Sequence, residues 1–110
     1  MFIIRAFPGL TNGNPMIRVL IERKVAAGLE SYYDSTIKRT VSSVVKAPGC
    51  LGGESLIDTS DSRRRFVMSK WNSKADWENW LHSEERRQVI AEITPMLESA
   101  EKITILELTR

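Results

Sequence analysis

The stretch VMSKWNSKADWENWLHSEE, residues 67–85, contains all three tryptophans of this 110-residue chain and its single histidine. Its apolar residues up to Trp71 predict the end of a β-strand. Ser73 is a favourable helix N-cap, and Asp76 three positions later completes a variant of the capping box. The short helix that follows has one apolar face, formed by Trp77, Trp80 and Leu81. The stretch therefore predicts a strand that leads directly into an amphipathic helix.

Two patterns of different period precede this stretch. Residues 16–25, MIRVLIERKV, alternate apolar and polar side chains, which predicts a strand with one buried face. From Leu29 onward the apolar period changes to steps of three and four, which predicts an amphipathic helix of about five turns that ends before Pro48. The predicted apolar stripe of this helix consists of Leu29, Tyr33, Ile37, Val41, Val44 and Val45. The chain thus begins as a strand followed by a helix.

The remaining segments complete the pattern. Residues 51–59 and 64–71 are strand-like and lie a few residues apart, so we expect them to pair as a hairpin. A second helical segment starts at Ser83 and is ended or bent by Pro95. Residues 102–109, KITILELT, form the last predicted strand. The order is β-α-β-β-α-β, which is the α+β ferredoxin-like plan of a four-stranded antiparallel sheet with helices on one face.

The predicted sheet has apolar residues on both faces, as Phe66 and Met68 alternate with Val67. The helices can cover only one face, and soluble monomers rarely expose a large apolar patch. We therefore expect a homodimer formed through the free sheet face. Residues 16–110 form the predicted domain, and residues 1–15, rich in turn-forming residues after FIIRAF, form an extension ahead of it.

Composition narrows the classes of function. The net charge is only +2, and the densest basic run, SRRRF at residues 62–66, is interpreted as a solvated strand end, so no nucleic-acid partner is expected. No apolar run approaches the roughly 20 residues that span a bilayer, so no membrane association is expected. Cys50 is the only cysteine, which excludes an intrachain disulfide and favours a cytoplasmic location. One histidine and one distant cysteine predict no metal site.

Several of these segments together resemble one protein family. PGCLGGE at residues 48–54, the pattern W-x-S-x-x-x-W-x-x-W-x-x-S from Trp71 to Ser83, and the closing ITILEL are similar to the antibiotic biosynthesis monooxygenases. The resemblance covers roughly residues 16–110 and implies a dimeric, ferredoxin-like α+β barrel. Members include oxygenases that act on polycyclic aromatic compounds without metal or flavin, quinol monooxygenases, heme-degrading monooxygenases and proteins without a known reaction.

The heme-degrading members use an Asn, a Trp and a His, and the resemblance gives each a position here. The Asn and Trp positions fall on Ile21 and Trp80. The His position falls on Val89 or Ile90, which have no lone pair to donate to iron. Heme degradation by the usual arrangement is therefore not expected. A heme-binding variant with His82 as a relocated ligand stays an alternative.

The resemblance also implies a pocket between the helices and the sheet. Its expected substrate-binding residues are Val19, Ile21, Tyr33, Ile37, Trp80 and Val89. Trp80 could line this pocket or fill the core, whereas Trp71 and Trp77 are interpreted as core anchors. The polar catalytic candidates are His82, Asn72 and Tyr33, and Arg65 is a candidate for steadying an anion.

The leading hypothesis from the sequence is a cofactor-independent monooxygenase, an oxidoreductase acting on a small aromatic, phenolic or quinol substrate. Such chemistry needs little beyond an apolar pocket that favours the substrate anion and excludes water. The alternative is a non-catalytic small-molecule-binding or stress-response dimer that uses the same pocket.

Overall fold

The structure is a computed structural model that describes residues 15–109, so the predicted extension at residues 1–15 lies, except for Pro15, outside the described residues. Its elements in chain order are β1 (Ile17–Lys24), α1 (Glu30–Val44), β2 (Cys50–Asp58), β3 (Asp61–Trp71), α2 (Lys74–Leu81), α3 (Glu84–Ile93) and β4 (Lys102–Glu107). A 3-10 turn, Thr94–Met96, follows α3 directly and includes Pro95. The element order predicted from the sequence is confirmed.

The four strands form one antiparallel sheet in the order β2-β3-β1-β4. The first and third strands are therefore the two central ones, and the hairpin predicted between the second and third strands is present. This topology confirms the α+β, ferredoxin-like plan.

Several element boundaries differ from the predicted ones. The first helix ends at Val44, a turn earlier than expected. After it, the backbone N–H groups of Lys46 and Ala47 donate to the carbonyls of Ser43 and Val44, and these three-residue steps form a tighter turn than the α-helix. The third strand starts at Asp61 rather than Arg64, because Asp58 pairs with Asp61 across a two-residue turn. Polar residues at this sheet end are tolerated in a strand since water reaches them.

The core lies between the sheet and the three helices. On β1 and β3 the alternate residues that face the helices are buried, from Ile17 to Arg23 and from Arg65 to Trp71. Trp71 is fully buried, and its indole N–H donates to Ser69 Oγ at 2.9 Å. Trp77 meets Trp71 edge to face, with ring centroids 5.7 Å apart. Both tryptophans are core residues, in agreement with the prediction.

Capping bonds fix the two short helices at their starts. Ser73 Oγ accepts from the Asp76 backbone N–H at 3.2 Å and donates to the Asp76 carboxylate at 3.0 Å, which is the predicted capping-box variant. Ser83 Oγ accepts from the Arg86 backbone N–H at 3.1 Å and donates to the Trp80 carbonyl at 2.6 Å. The break between α2 and α3 is therefore a double cap that sets the position of Trp80.

The opposite face of the sheet carries an apolar centre with a charged rim. Leu20 pairs with Met68 across β1 and β3, and Leu56 pairs with Phe66 across β2 and β3. Leu106 on β4 belongs to the same face, since it pairs with Arg18. Leu56 and Leu106 are exposed, whereas Leu20, Phe66 and Met68 are half-buried. The charged side chains at the rim belong to Arg18, Glu22, Glu54, Arg64, Lys70 and Lys102. Among the described residues, none of the helices is long and apolar enough to cross a membrane.

Candidate functional site

A small cavity lies between the sheet and the helices. Its volume is about 30 Å³, which is room for one or two water molecules. Its apolar wall is formed by Ile21, Ile37, Val41, Val44, Val67, Trp77, Trp80 and Val89. Its polar wall is formed by Arg23, Thr40, Ser69 and Arg86. The cavity is therefore a mostly apolar space with two arginines in its lining.

The structure brings most of the predicted substrate-binding residues to this cavity. Ile21, Ile37, Trp80 and Val89 are among its lining residues, as the predicted pocket requires. The other two predicted residues, Val19 and Tyr33, do not line it. Both are fully buried in the adjoining core.

Two buried arginines, which the sequence interpretation did not include, complete the wall. Arg23 is 5% exposed and Arg86 is 6% exposed. Arg23 has the same strand parity as Ile17, Val19 and Ile21, so its side chain points toward the helices. Arg86 lies three and seven positions before Val89 and Ile93, on the same stripe of α3. Both periodicities were visible in the sequence and could have identified these residues.

The two arginines share the carboxylate of Glu101. Arg23 Nε donates to Glu101 Oε2 at 2.9 Å, and Arg86 donates to the other oxygen, Oε1. Arg23 also donates to the Tyr33 hydroxyl at 3.2 Å, and the Arg86 guanidinium lies 5.8 Å from the centre of the Trp77 ring. A buried charge must be paired to be tolerated, and Glu101 provides that pairing.

Two guanidinium groups with one carboxylate leave one positive charge in excess beside the cavity. An apolar environment strengthens the interaction of such a charge with an anion, compared with water. Guanidinium groups carry five N–H donors each and bind oxyanions through paired hydrogen bonds. The arrangement can therefore attract an anionic oxygen, although the space of about 30 Å³ does not hold the rest of an aromatic molecule.

Comparison with known families identifies this architecture. The sequence profile described as antibiotic biosynthesis monooxygenase matches residues 16–92, which is more than half of the chain. This chain belongs to the antibiotic biosynthesis monooxygenase family. A search of curated protein sequences finds no significant match.

Solved structures show how widely this family fold occurs. A conserved protein from Methanosarcina mazei is 14% identical, with a TM-score of 0.81 over 86% of this chain and 94% of its own. A mutant of SnoaB, a cofactor-independent oxygenase from Streptomyces nogalater, is 10% identical, with a TM-score of 0.77 over 86% and 94% of the two chains. Rv0793 from Mycobacterium tuberculosis is 10% identical, with a TM-score of 0.77 over 86% and 96%. At these identities the similarity shows the fold alone.

The other predicted polar residues lie away from the cavity of this family member. His82 is exposed at the end of α2, beside a surface hollow of about 350 Å³. Asn72 is exposed, and its backbone N–H donates to the Gly49 carbonyl at 2.8 Å. Arg65 is buried, but it pairs with Asp34 and lies 5.4 Å from the Tyr33 ring centre. Of the predicted polar residues, only Tyr33 connects to the cavity, through Arg23.

Heme, the cofactor of some family members, does not fit the residues present. The positions that correspond to the heme-site Asn and His are Ile21 and either Val89 or Ile90, and none of these side chains has a lone pair to donate to iron. Ile21 and Val89 line the cavity with hydrocarbon. The His82 side chain belongs to the surface hollow instead. Within residues 15–109, no group of three or more His, Cys, Asp or Glu side chains is placed to hold a metal ion.

Proposed function

We propose that this family member is a cofactor-independent monooxygenase that acts on a small aromatic, phenolic or quinol substrate. The observation that carries the proposal is the buried pair Arg23 and Arg86 at one wall of an otherwise apolar cavity. The pair favours a substrate that has lost a hydroxyl proton, and a phenolate or hydroquinone anion is electron-rich enough to react with oxygen. Membership of the family supports a monooxygenase reaction, and so does the structural similarity to SnoaB, a cofactor-independent oxygenase.

The proposed reaction needs no separate reductant. The ionised phenol passes electrons to O₂, and a ring carbon forms a bond to one oxygen, giving a hydroperoxide on the substrate. Loss of water, made from the distal oxygen, one ring hydrogen and the phenolic proton, leaves a carbonyl at that carbon. The phenol is oxidised to a quinone, one atom of O₂ is retained and the other becomes water.

In this scheme the chain has two tasks. Arg23 and Arg86 stabilise the anion, which raises the fraction of substrate in the reactive form. The apolar side chains, of which Trp80 and Val89 are examples, exclude bulk water from the reacting carbon. Glu101 fixes both guanidinium groups, so they are in place before the substrate arrives.

A second candidate is a non-catalytic binding or stress-response module. It is favoured by the absence, among the described residues that line the cavity, of any His, Asp or Glu side chain that could move a proton. Such a module binds the same anionic aromatic ligands and leaves them unchanged.

We also propose that the active form is a homodimer joined through the free sheet face. Support comes from the apolar centre of that face, where Leu20, Phe66 and Met68 adjoin the exposed Leu56 and Leu106. Leu20→Glu places a charge in this centre, whereas Lys38→Glu changes an exposed residue of α1. Sedimentation is expected to give a dimer for the parent and Lys38→Glu and a monomer for Leu20→Glu. A monomeric parent at micromolar concentration would contradict the proposal.

Oxygen consumption tests the catalytic proposal. Metal-free protein is incubated with a panel of naphthols and hydroquinones in ¹⁸O₂, and oxygen uptake is recorded with the mass of the products. The expected product carries one ¹⁸O atom, and Arg86→Met lowers the rate while Arg87→Met, an exposed neighbour, does not. Saturable binding without oxygen uptake across the panel would instead support the binding module.

A further inference from the structure

A second, larger space adjoins the cavity on the outside of Trp80. This outer groove has a volume of about 430 Å³ and lies where the end of α1 meets α2 and the start of α3. Its lining includes Ser43, Lys46, Pro48, Asp76, Asn79 and Trp80. Of the described residues, Trp80 alone lines both the groove and the cavity, so it lies between the two spaces.

The size of the inner cavity makes this partition important. A cavity of roughly 150 Å³ is needed to hold benzene, several times the 30 Å³ found here. No aromatic ring can therefore lie beside Arg23 and Arg86 unless a wall moves. The outer groove is large enough for such a ring already.

Three residues line both the cavity and an outside space, and they are held differently. Ser69 on β3 is 3% exposed, and its hydroxyl accepts a hydrogen bond from the Trp71 indole. Arg86 lines both the cavity and the hollow beside His82, but it is fixed by Glu101 and by its contact with the Trp77 ring. Trp80 is 7% exposed and stacks on Trp71 at a centroid distance of 6.5 Å. Within residues 15–109, its indole N–H makes no hydrogen bond, whereas that of Trp71 is held by Ser69.

We propose that the outer groove and the cavity form one ligand site whose gate is the Trp80 side chain. The ligand class is a flat aromatic of one or two rings with an acidic hydroxyl group. It binds first in the groove, and displacement of the indole lets its oxygen reach the guanidinium groups of Arg23 and Arg86. This inference rests on the proposed function for the ligand class, but its test does not depend on turnover.

Stopped-flow binding of 2-naphthol, followed by tryptophan fluorescence, tests the gate; in the Trp80 variants the signal comes from Trp71 and Trp77. A gate that is open for a few per cent of the time lowers the observed association rate to that fraction of its value for an open site. Trp80→Ala is therefore expected to raise both the association and dissociation rates by about tenfold or more, and Trp80→Phe by less. Gln88→Ala is the control, because Gln88 is exposed on α3 and lines neither the cavity nor the groove. We expect its association rate to match that of the parent.

Two surface substitutions distinguish the routes. Ser43→Phe fills the outer groove, and Arg87→Phe fills the hollow beside His82. Both positions are exposed, so both variants are expected to fold. Ser43→Phe is expected to slow association by about tenfold, and Arg87→Phe is expected to leave it unchanged.

Three results would overturn the inference. The first is an association rate that is unchanged in both Trp80 variants. The second is an association rate that is slowed by Arg87→Phe but not by Ser43→Phe. The third is the absence of saturable binding to both the parent and Trp80→Ala. Failure of the monooxygenase proposal looks different. In that case the binding rates change as predicted, but no oxygen is consumed.

Discussion

The Arg23 guanidinium lies 2.9 Å from the Glu101 carboxylate, although 78 positions separate the two residues in the chain. The antiparallel pairing of the first and last strands brings them together, since β1 and β4 are neighbours in the sheet. The Glu101 carboxylate also binds Arg86, which joins the sheet to α3. The polar wall of the cavity is therefore also a tertiary link between the sheet and the helices that cover it.

Removal of the Glu101 charge is expected to destabilise the protein. Glu101→Gln leaves two buried guanidinium groups without their anion, and breaking a buried pair in this way costs about 3 kcal/mol. Urea unfolding measures the change. Glu92→Gln is the control, because the Glu92 pair with Arg39 is exposed and contributes less than about 0.5 kcal/mol. Equal losses in the two variants would contradict the structural role of Glu101.

Arg86 is expected to select the anionic form of a ligand. Loss of a hydrogen bond to a charged group costs about 1.5–3 kcal/mol, so Arg86→Met should weaken binding of 2-naphthol by about tenfold or more at a pH where the hydroxyl is ionised. Binding of 2-methoxynaphthalene, which cannot ionise, should change much less. Isothermal titration compares the two ligands, with Arg87→Met as the exposed control. A parallel loss for both ligands would indicate a packing role instead.

Gly49 is expected to tolerate no side chain. Its φ is +83°, a region that disfavours L-residues, and an added Cβ would lie 2.2 Å from Cγ of Asp76. Gly28 has a similar φ of +87° with nothing within 4 Å of an added Cβ. Gly28→Ala therefore measures the backbone strain alone, about 1–2 kcal/mol, and Gly49→Ala should cost about 2 kcal/mol more. Equal unfolding free energies would show that the Asp76 carboxylate moves away without cost.

The turn between β2 and β3 is expected to weaken in acid. The pKa of Asp58 is lowered to about 2 by hydrogen bonds from the backbone and hydroxyl of Ser60 and from Arg64. A hydrogen bond from Lys24 lowers the pKa of Asp61. Both aspartates have lower pKa values in the folded protein than in the unfolded chain, where the value is 3.8. Their ionised forms therefore stabilise the fold above pH 3.8, and this stabilisation is lost as the pH falls toward 2.

The Asp58→Asn variant checks this direction. Thermal melting between pH 6 and pH 2 is expected to show a higher melting temperature for the parent at pH 6. The difference should shrink as the pH falls toward 2, where about half of Asp58 is protonated in the folded parent. A difference that grows in acid would contradict the assignment of the pKa shift.

Much of the fold could be predicted from residues 16–109, because hydrophobic periodicity is a local signal. The two-residue period of β1 and the three- and four-residue steps of α1 gave the elements and their order. The boundaries were less accurate, since hydrophobic periodicity does not report the tighter turns after Val44 or the pairing of Asp58 with Asp61. Ile21 and Ile37 continue the periodic stripes and line the cavity, whereas their role in binding stays a prediction.

The sequence by itself thus determined which faces are apolar, which order the elements take and which helix begins at Ser73. Only the tertiary structure decided that Arg23 and Arg86 meet at Glu101 and that the cavity holds no more than one or two waters. Periodicity in the sequence indicates which face of a strand or helix is buried. Contacts between charged side chains on distant elements depend on how the sheet twists and how the helices pack on it. For the same reason, the place of Trp80 between two spaces follows from packing alone.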